Sequence, residues 1–379
     1  MTYAFPPIDA GTEKPEKTAP QGDPWNARVG IAIVGVGRIS VNEVLPAFAA
    51  SRHAKPVALV SGDRAKALEI ARHYDIPESA VLDYADYDKL ADMPEVQGVY
   101  IALPNSMHAE YTIRAARAGK HVLCEKPMAN TVAECQRMID ACEAAGRKLM
   151  IAYRRQYSPL ERALVDMVRA QQLGALREFT SVNSQNMGDP GHWRLKRALA
   201  GGGPLPDVGL YCINQARFLS AEEPVEVIGH TWSTPGDARF TEVEESCQFT
   251  LRFPSGFIAT CSTSYGAHKS QMYRLNASEA WAEMSPAYAY KGNRLRISRV
   301  EGGSEHSTEL LIDEGNQFAK ELDHFAQCVR TGREPHTPGE EGLQDQRIIE
   351  AIYASARSGR PVTLTAPSRT RGPAPEDGR

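Results

Sequence analysis

Residues 30–40 read GIAIVGVGRIS, an apolar strand that runs into a glycine turn and then a helix. Gly35 permits the tight turn, and Gly37 leaves the backbone bare where a phosphate can approach. The helix that follows aims its unpaired N–H groups and positive dipole end at the same point. Ser40 stands where the pattern usually has a third glycine, which weakens the match. The stretch reads as a dinucleotide pyrophosphate cradle, a plain strand–turn–helix junction being the alternative.

The flanking sequence strengthens that reading. From 29 to 152 apolar strands at 30–34, 57–61, 98–103, 121–124 and 148–152 alternate with helical patterns. Such alternation implies a parallel sheet covered on both faces, with ligands at the strands' carboxyl ends. Thr131 to Glu134 reads as a capping box. The second strand ends in Ser61-Gly62-Asp63-Arg64, with Lys66 close behind. A hydroxyl, a bare backbone and cations suit a 2′-phosphate better than a ribose diol, so NADP is expected over NAD. Asp63, two residues past the usual acidic position, leaves NAD open.

After residue 152 the pattern changes. Ser158-Pro-Leu-Glu161 has the form of a helix start with a capping residue and a proline at the first position. Strand-like runs follow at 176–184, 226–233, 245–253, 257–265, 272–278 and 294–300, with helical patterns near 316–330 and 344–357. The expected architecture is α/β: a doubly wound parallel sheet over 29–152, then an α+β domain over 153–364 with a large, mainly antiparallel open sheet. Residues 1–28 carry five prolines, two glycines and seven charges, the composition of an extended arm without a core of its own. Residues 365–379 read as a disordered tail.

Several function classes are excluded. A net charge of −4 gives no electrostatic reason to expect nucleic acid or an anionic membrane surface. No apolar run approaches the roughly 18 residues that span a bilayer. Seven dispersed cysteines without CxxC or zinc-type spacing fit reduced, buried thiols and a cytoplasmic location, and no metal site is expected.

Two clusters carry chemistry. Strand 121–124 ends in Cys124-Glu125-Lys126-Pro127, which places a lysine at the crevice; a buried lysine titrates readily and serves in proton transfer. The second is GGGPLPDVGLYCIN, 201–214. There Asp207 occupies an N-cap position, and Tyr211 and Asn214 share its helix face at i+4 and i+7. A carboxylate, a phenol and an amide behind a glycine loop suit a polyol.

The fingerprint, LPNSMHAE (103–110), EKP (125–127), WR (193–194) and DVGLYCIN (207–214) occur in an order that resembles the glucose–fructose oxidoreductase, inositol dehydrogenase and rhizopine-catabolism family. The resemblance runs from about 29 to 363. Within the family it is strongest to the glucose–fructose and aldose–aldose oxidoreductases, through LVSG, HVLCEKPMA, WRLKRALAGGG and GEEGLQD (339–345). Many members have histidine and aspartate where this chain has Tyr211 and Asn214. The resemblance implies a Rossmann-type domain and a tightly bound NADP. That cofactor would be held by Gly35, Gly37, Arg38, Ile39, Ser61, Gly62, Lys66, Leu103, Pro104, Asn105, His108, Glu125, Lys126, Arg154, Trp193 and Arg194. It implies Lys126, Tyr211 and Asp207 as catalytic, and Lys126, Tyr157, Asp207, Tyr211 and Asn214 as sugar-binding. Tyr211 would exchange the anomeric proton, a cationic Lys126 would favour its phenolate, and a homodimer and an arm clasping a cofactor are further implications. A conventional NADP-dependent aldose dehydrogenase and a non-catalytic NADP-binding regulator remain as alternatives.

Overall fold

The computed structural model describes residues 22–365, 367 and 370–375. Six strands form the first sheet: β1 (Val29–Val34), β2 (Ala54–Val60), β3 (Val81–Leu82), β4 (Gly98–Ile101), β5 (His121–Glu125) and β6 (Leu149–Ala152). They lie in the order β3-β2-β1-β4-β5-β6, and every pairing is parallel. All six residues of β1 are buried, as expected for a strand with helices on both faces. The strand order reverses between β1 and β4, so their carboxyl ends splay and open a crevice there.

The helices of this half are α1 (Leu45–Ala47), α2 (Arg64–His73), α3 (His108–Arg117) and α4 (Val132–Ala144). A π-helical turn over Ser40–Val44 leads into α1. Thr131 caps α4 by accepting from the Glu134 amide at 3.2 Å.

The second half contributes α5 (Pro159–Arg169), β7 (Leu176–Ser184), α6 (Arg197–Ala200), α7 (Leu210–Ser220), β8 (Glu226–Trp232), β9 (Ser246–Arg252), β10 (Ile258–Ser264), β11 (Ser270–Ala277), β12 (Ala280–Met284), β13 (Leu295–Glu301), β14 (Ser304–Leu310), α8 (Gln317–Thr331), α9 (Gly339–Ser358) and β15 (Val362–Thr363). The nine strands run β14-β13-β12-β11-β7-β10-β9-β8-β15; β7 and β10 pair in parallel and their neighbours pair antiparallel. Helices α7 and α9 pack on this sheet, and Phe179, Phe249, Tyr273 and Leu275 fill the layer between.

The sequence pattern misses β12 and β14. The latter, SEHSTEL, is mostly exposed and has no apolar alternation; cross-strand pairing with β13 holds it. The Ser158 capping box does not form. Ser158 makes no side-chain cap, because Glu161 turns into the core, where it accepts from Arg155, from Gln215 at 2.8 Å and from Tyr273 at 2.5 Å. Helix α8 crosses back to the first domain: Asp323 accepts from the Ser51 hydroxyl at 2.6 Å and the His53 amide at 2.9 Å.

Most of the expected arm, residues 1–21, lies outside the described residues. Its last part packs on the body, with Asp23 paired to His53 and Arg330. Residues 370–375, expected to be disordered, instead lie against α7 and the loop before α9. Arg371 pairs with Glu341 at 3.0 Å, and the Gly372 amide donates to the His336 carbonyl at 3.1 Å. A buried carboxylate supplies an anchor that composition alone does not reveal. All seven cysteines are buried and free.

Candidate active site

The crevice at the ends of β1, β2, β4 and β5 opens into a cleft of about 940 Å³ that continues under β7 and β11. At its head Gly35 has φ +90°, and a Cβ there would meet the Ala102 carbonyl at 2.6 Å, so only glycine fits. A Cβ on Gly37 would meet nothing within 4 Å, which leaves open space over the loop for a phosphate. Ser40 closes the turn by donating to the Gly35 carbonyl at 2.6 Å. The residues present therefore fit a dinucleotide. Gly35, Gly37, Arg38 and Ile39 line one end of the cleft with Ser61, Gly62, Leu103 and Pro104.

The end of β2 bears on the choice of dinucleotide. Asp63 caps α2 by accepting from the Lys66 amide at 3.0 Å, so its carboxylate is engaged by the helix. Ser61 accepts from the Asp63 amide at 3.1 Å. Lys66 donates to the Val36 carbonyl at 2.6 Å and stands beside the glycine loop. Arg64 is drawn away to the Val81 carbonyl at 2.8 Å.

Two of the expected cofactor residues act by tying loops together. The Asn105 amide donates to the Ala200 carbonyl at 2.9 Å and joins the domains. His108 sets Nδ1 against the Pro127 carbonyl and Nε2 against the Leu103 carbonyl, each at 2.9 Å. Burial lowers its pKa and holds the ring neutral, so one nitrogen donates.

The centre of the cleft is a charge cluster. Lys126, at the end of β5, donates to the Asp207 carbonyl at 2.8 Å and to its carboxylate at 3.2 Å. Its Nζ lies 4.6 Å from the centre of the Tyr211 ring. Burial pulls the Lys126 pKa down, but Tyr211, Asp207 and Glu125 outweigh it and the group stays a cation. Lys126 is thus a fixed charge rather than a base. Asp207 also accepts from Arg194 at 3.0 Å and from the Tyr265 hydroxyl at 2.6 Å. Burial raises its pKa, yet Arg194, Lys126 and the Tyr265 bond hold it well below the usual carboxylate range. Asp207 is not an N-cap: it lies inside a π-helical turn, Leu205–Gly209, that leads into α7 and aims its carboxylate at the two cations.

The Tyr211 phenol accepts from Arg154 at 3.3 Å. Arg154 is itself anchored on the Tyr288 carbonyl at 2.7 Å and Gln317 at 2.6 Å. Glu125 accepts from the Tyr100 hydroxyl at 2.7 Å, and burial raises its pKa. Trp193 and Arg194 line the same cleft, with the guanidinium 4.4 Å from the indole centre.

The fold draws two expected sugar ligands away from the cleft. Tyr157 is 1% exposed, and its hydroxyl pairs with Thr337 at 3.1 Å inside the core. Asn214 follows Tyr211 by three residues in α7, about 60° round the helix, which is enough to turn it from the cleft toward α9. Its amide donates to Glu341 and Asp345, each at 2.9 Å. Sequence reasoning missed Asn183, Gln271 and Tyr290, which line the cleft, and Tyr265, which is buried beneath it and holds Asp207. Asn183 and Gln271 are cross-strand partners of β7 and β11, joined at 3.2 Å. Polar residues at strand ends in otherwise alternating runs were the available signal. Among the described residues no group of three metal-ligating side chains occurs, and no helix is long and apolar enough to cross a membrane.

A dinucleotide cradle facing a lysine–aspartate–tyrosine cluster defines a two-domain oxidoreductase. Residues 29–153 match the oxidoreductase family with an NAD-binding Rossmann fold, and residues 162–283 match the GFO/IDH/MocA C-terminal domain. The chain is 32% identical over 342 residues to the D-xylose 1-dehydrogenase [NADP(+)] of Haloarcula marismortui, covering 89% of this chain and 93% of that one. It is 33% identical over 334 residues to the D-xylose 1-dehydrogenase (NADP(+)) 2 of Haloferax volcanii, covering 88% and 98%. The solved structure of aldose-aldose oxidoreductase from Caulobacter crescentus complexed with glycerol superposes with a TM-score of 0.86 at 44% identity, covering 89% of this chain and all of that one. The chain belongs to the GFO/IDH/MocA family. It is an NAD(P)-dependent oxidoreductase acting on CH–OH groups.

Proposed function

We propose that the protein oxidises an aldose at its anomeric carbon to the lactone and reduces a second sugar to an alditol, with the same tightly bound NADP serving both halves. The observation that carries this reading is the Tyr211 phenol held by Arg154 beside the Lys126–Asp207 pair, at the end of β5 in a cleft that begins at the glycine loop. NADP, when bound, supplies the hydride acceptor and then the donor. Tyr211 takes the proton of the anomeric hydroxyl and returns one to the second sugar's carbonyl oxygen. Arg154 and Lys126 stabilise the charge that develops on the phenol oxygen, and Asp207 holds Lys126 in place. Glu125, Trp193 and Arg194 flank the nicotinamide side. Capture of Asp63 by α2 and the position of Lys66 support NADP over NAD.

Retention has a kinetic meaning. A dissociation constant of about 1 nM with an on-rate near 10⁶ M⁻¹s⁻¹ gives an off-rate of about 10⁻³ s⁻¹. Turnover of about 10 s⁻¹ then requires a second sugar to reoxidise the cofactor in place. The likeness to two NADP-dependent xylose dehydrogenases supports a second reading, an aldose dehydrogenase that exchanges cofactor each turnover. The lysine–tyrosine pair argues against a non-catalytic regulator.

The test is the nicotinamide absorbance of purified, desalted protein before and after adding an aldose. A reduced band that forms without added cofactor and vanishes with a second sugar supports retention. A band only with added NADP supports exchange, and none in either case overturns the sugar reading. The open face of the nine-stranded sheet, where Trp281 lies between Arg274 and Arg296, is the proposed homodimer face, checked by light scattering.

A further inference from the structure

Behind the cleft lies a buried charge cluster built from the GEEGLQD stretch. Glu341 is fully buried, and both of its oxygens are used. Oε1 accepts from Gln156 at 3.0 Å, Asn214 at 2.9 Å and Arg371 at 3.0 Å. Oε2 accepts from Arg217 at 2.8 Å. These donors come from three parts of the chain. Asn214 and Arg217 belong to α7, which carries Tyr211 one turn earlier. Gln156 belongs to the turn Arg154–Tyr157, which carries the guanidinium bonded to the Tyr211 phenol. Arg371 arrives from the C-terminal segment.

The charge balance shows what Arg371 adds. Arg217 faces three carboxylates: Glu341, Asp345 and, at 2.7 Å, Glu223. One guanidinium cannot compensate the buried Glu341 and Asp345 together with the half-buried Glu223, and uncompensated buried charge is costly. Arg371 supplies a second cation and also donates to the Arg217 carbonyl at 3.3 Å, near the end of α7. Thr370 accepts from Arg217 at 3.2 Å.

We propose that Arg371 is a positioning residue: through Glu341 the C-terminal segment sets α7 and the 154–157 turn relative to each other, and so fixes the Tyr211–Arg154 contact. This rests on the reading of Tyr211 as the proton-transfer residue. Without Arg371, Glu341 loses one of its three Oε1 donors and half of its compensating charge. Both elements it joins then gain freedom, while the cofactor cradle is untouched.

The experiment compares full-length wild type, R371A and R371K by steady-state kinetics and by amide hydrogen exchange. Turnover of R371A should fall at least about fivefold with the sugar KM within about twofold, since small misplacements at a reacting centre cost rate. R371K, which keeps the charge but not the planar fork, should recover part of the loss. Exchange in R371A should quicken over 210–220 and 153–158 and stay unchanged over 29–47. Unchanged kinetics and exchange, or exchange that quickens evenly through the chain, overturns the proposal. Because exchange needs no turnover, it decides the question even if no aldose proves to be a substrate.

Discussion

Replacing Asp207 by Asn probes the centre of the site, because the substitution keeps shape and removes one charge. The carboxylate faces Lys126 at 3.2 Å and Arg194 at 3.0 Å. At an effective dielectric of about 20, each contact corresponds to about 5 kcal/mol of gross attraction. The net loss is smaller. The Arg194 side chain is 34% exposed and solvent screens its share, whereas Lys126 is 10% exposed and keeps its donor bond to the Asp207 backbone carbonyl. Breaking a buried pair from one side costs about 3–5 kcal/mol, and a loss near the lower end is expected.

The pH dependence carries the sharper sign. In the wild type the Lys126 pKa is raised, so its contribution is present below the ordinary lysine value and is lost only as pH rises through the folded one. In D207N one of the three groups that hold that pKa up is gone, so the folded pKa falls toward the unfolded one. Less stability is then lost as pH rises above the ordinary lysine value of about 10.4. Urea unfolding on either side of that value measures both curves. A loss below about 1 kcal/mol with parallel pH profiles would refute the assignment of Lys126 and Asp207 as a buried pair.

Tyr211→Phe and Lys126→Ala should each lower turnover by at least about 10², with cofactor binding intact in the tyrosine variant; stopped-flow rates and equilibrium dialysis check this. Ser61→Asp sets a carboxylate where a 2′-phosphate would sit and should shift the ratio of NADP to NAD affinity toward NAD by at least tenfold, about 1.4 kcal/mol, read by calorimetry. A wild type that binds both dinucleotides equally would contradict the assignment of that strand end. Burial lowers the His336 pKa to about 4, so the wild type loses stability as pH falls from the ordinary histidine value through that point. His336→Gln should flatten the curve there by about 1.4 kcal/mol per pH unit, measured by unfolding at successive pH values.

Local pattern was enough for the parallel sheet, the glycine turn and the Lys126 strand end. Each depends on neighbours in sequence: strand ends follow from apolar runs, and a φ of +90° at Gly35 follows from a turn that only glycine can make. The first strand and the Lys126 strand end were therefore legible in the sequence, whereas the meeting of Lys126 with Tyr211 was implied only by the family resemblance. Polar strand β14 was not, because cross-strand partners rather than its own composition hold it.

What only the tertiary structure decided is direction. Helical spacing put Asp207, Tyr211 and Asn214 on one face, and Asp207 and Tyr211 do both reach the cleft, but α9 draws Asn214 into a buried carboxylate pair. Tyr157 is claimed by Thr337 from a segment 180 residues away. The choice of Arg154 as the phenol's partner, of Tyr265 as a ligand of Asp207 and of Arg371 as the closing cation likewise depends on contacts between distant segments. Sequence periodicity reports which residues lie near one another along an element; the charges and hydrogen-bond partners that meet them arrive from elsewhere in the chain, and packing alone sets where each side chain points.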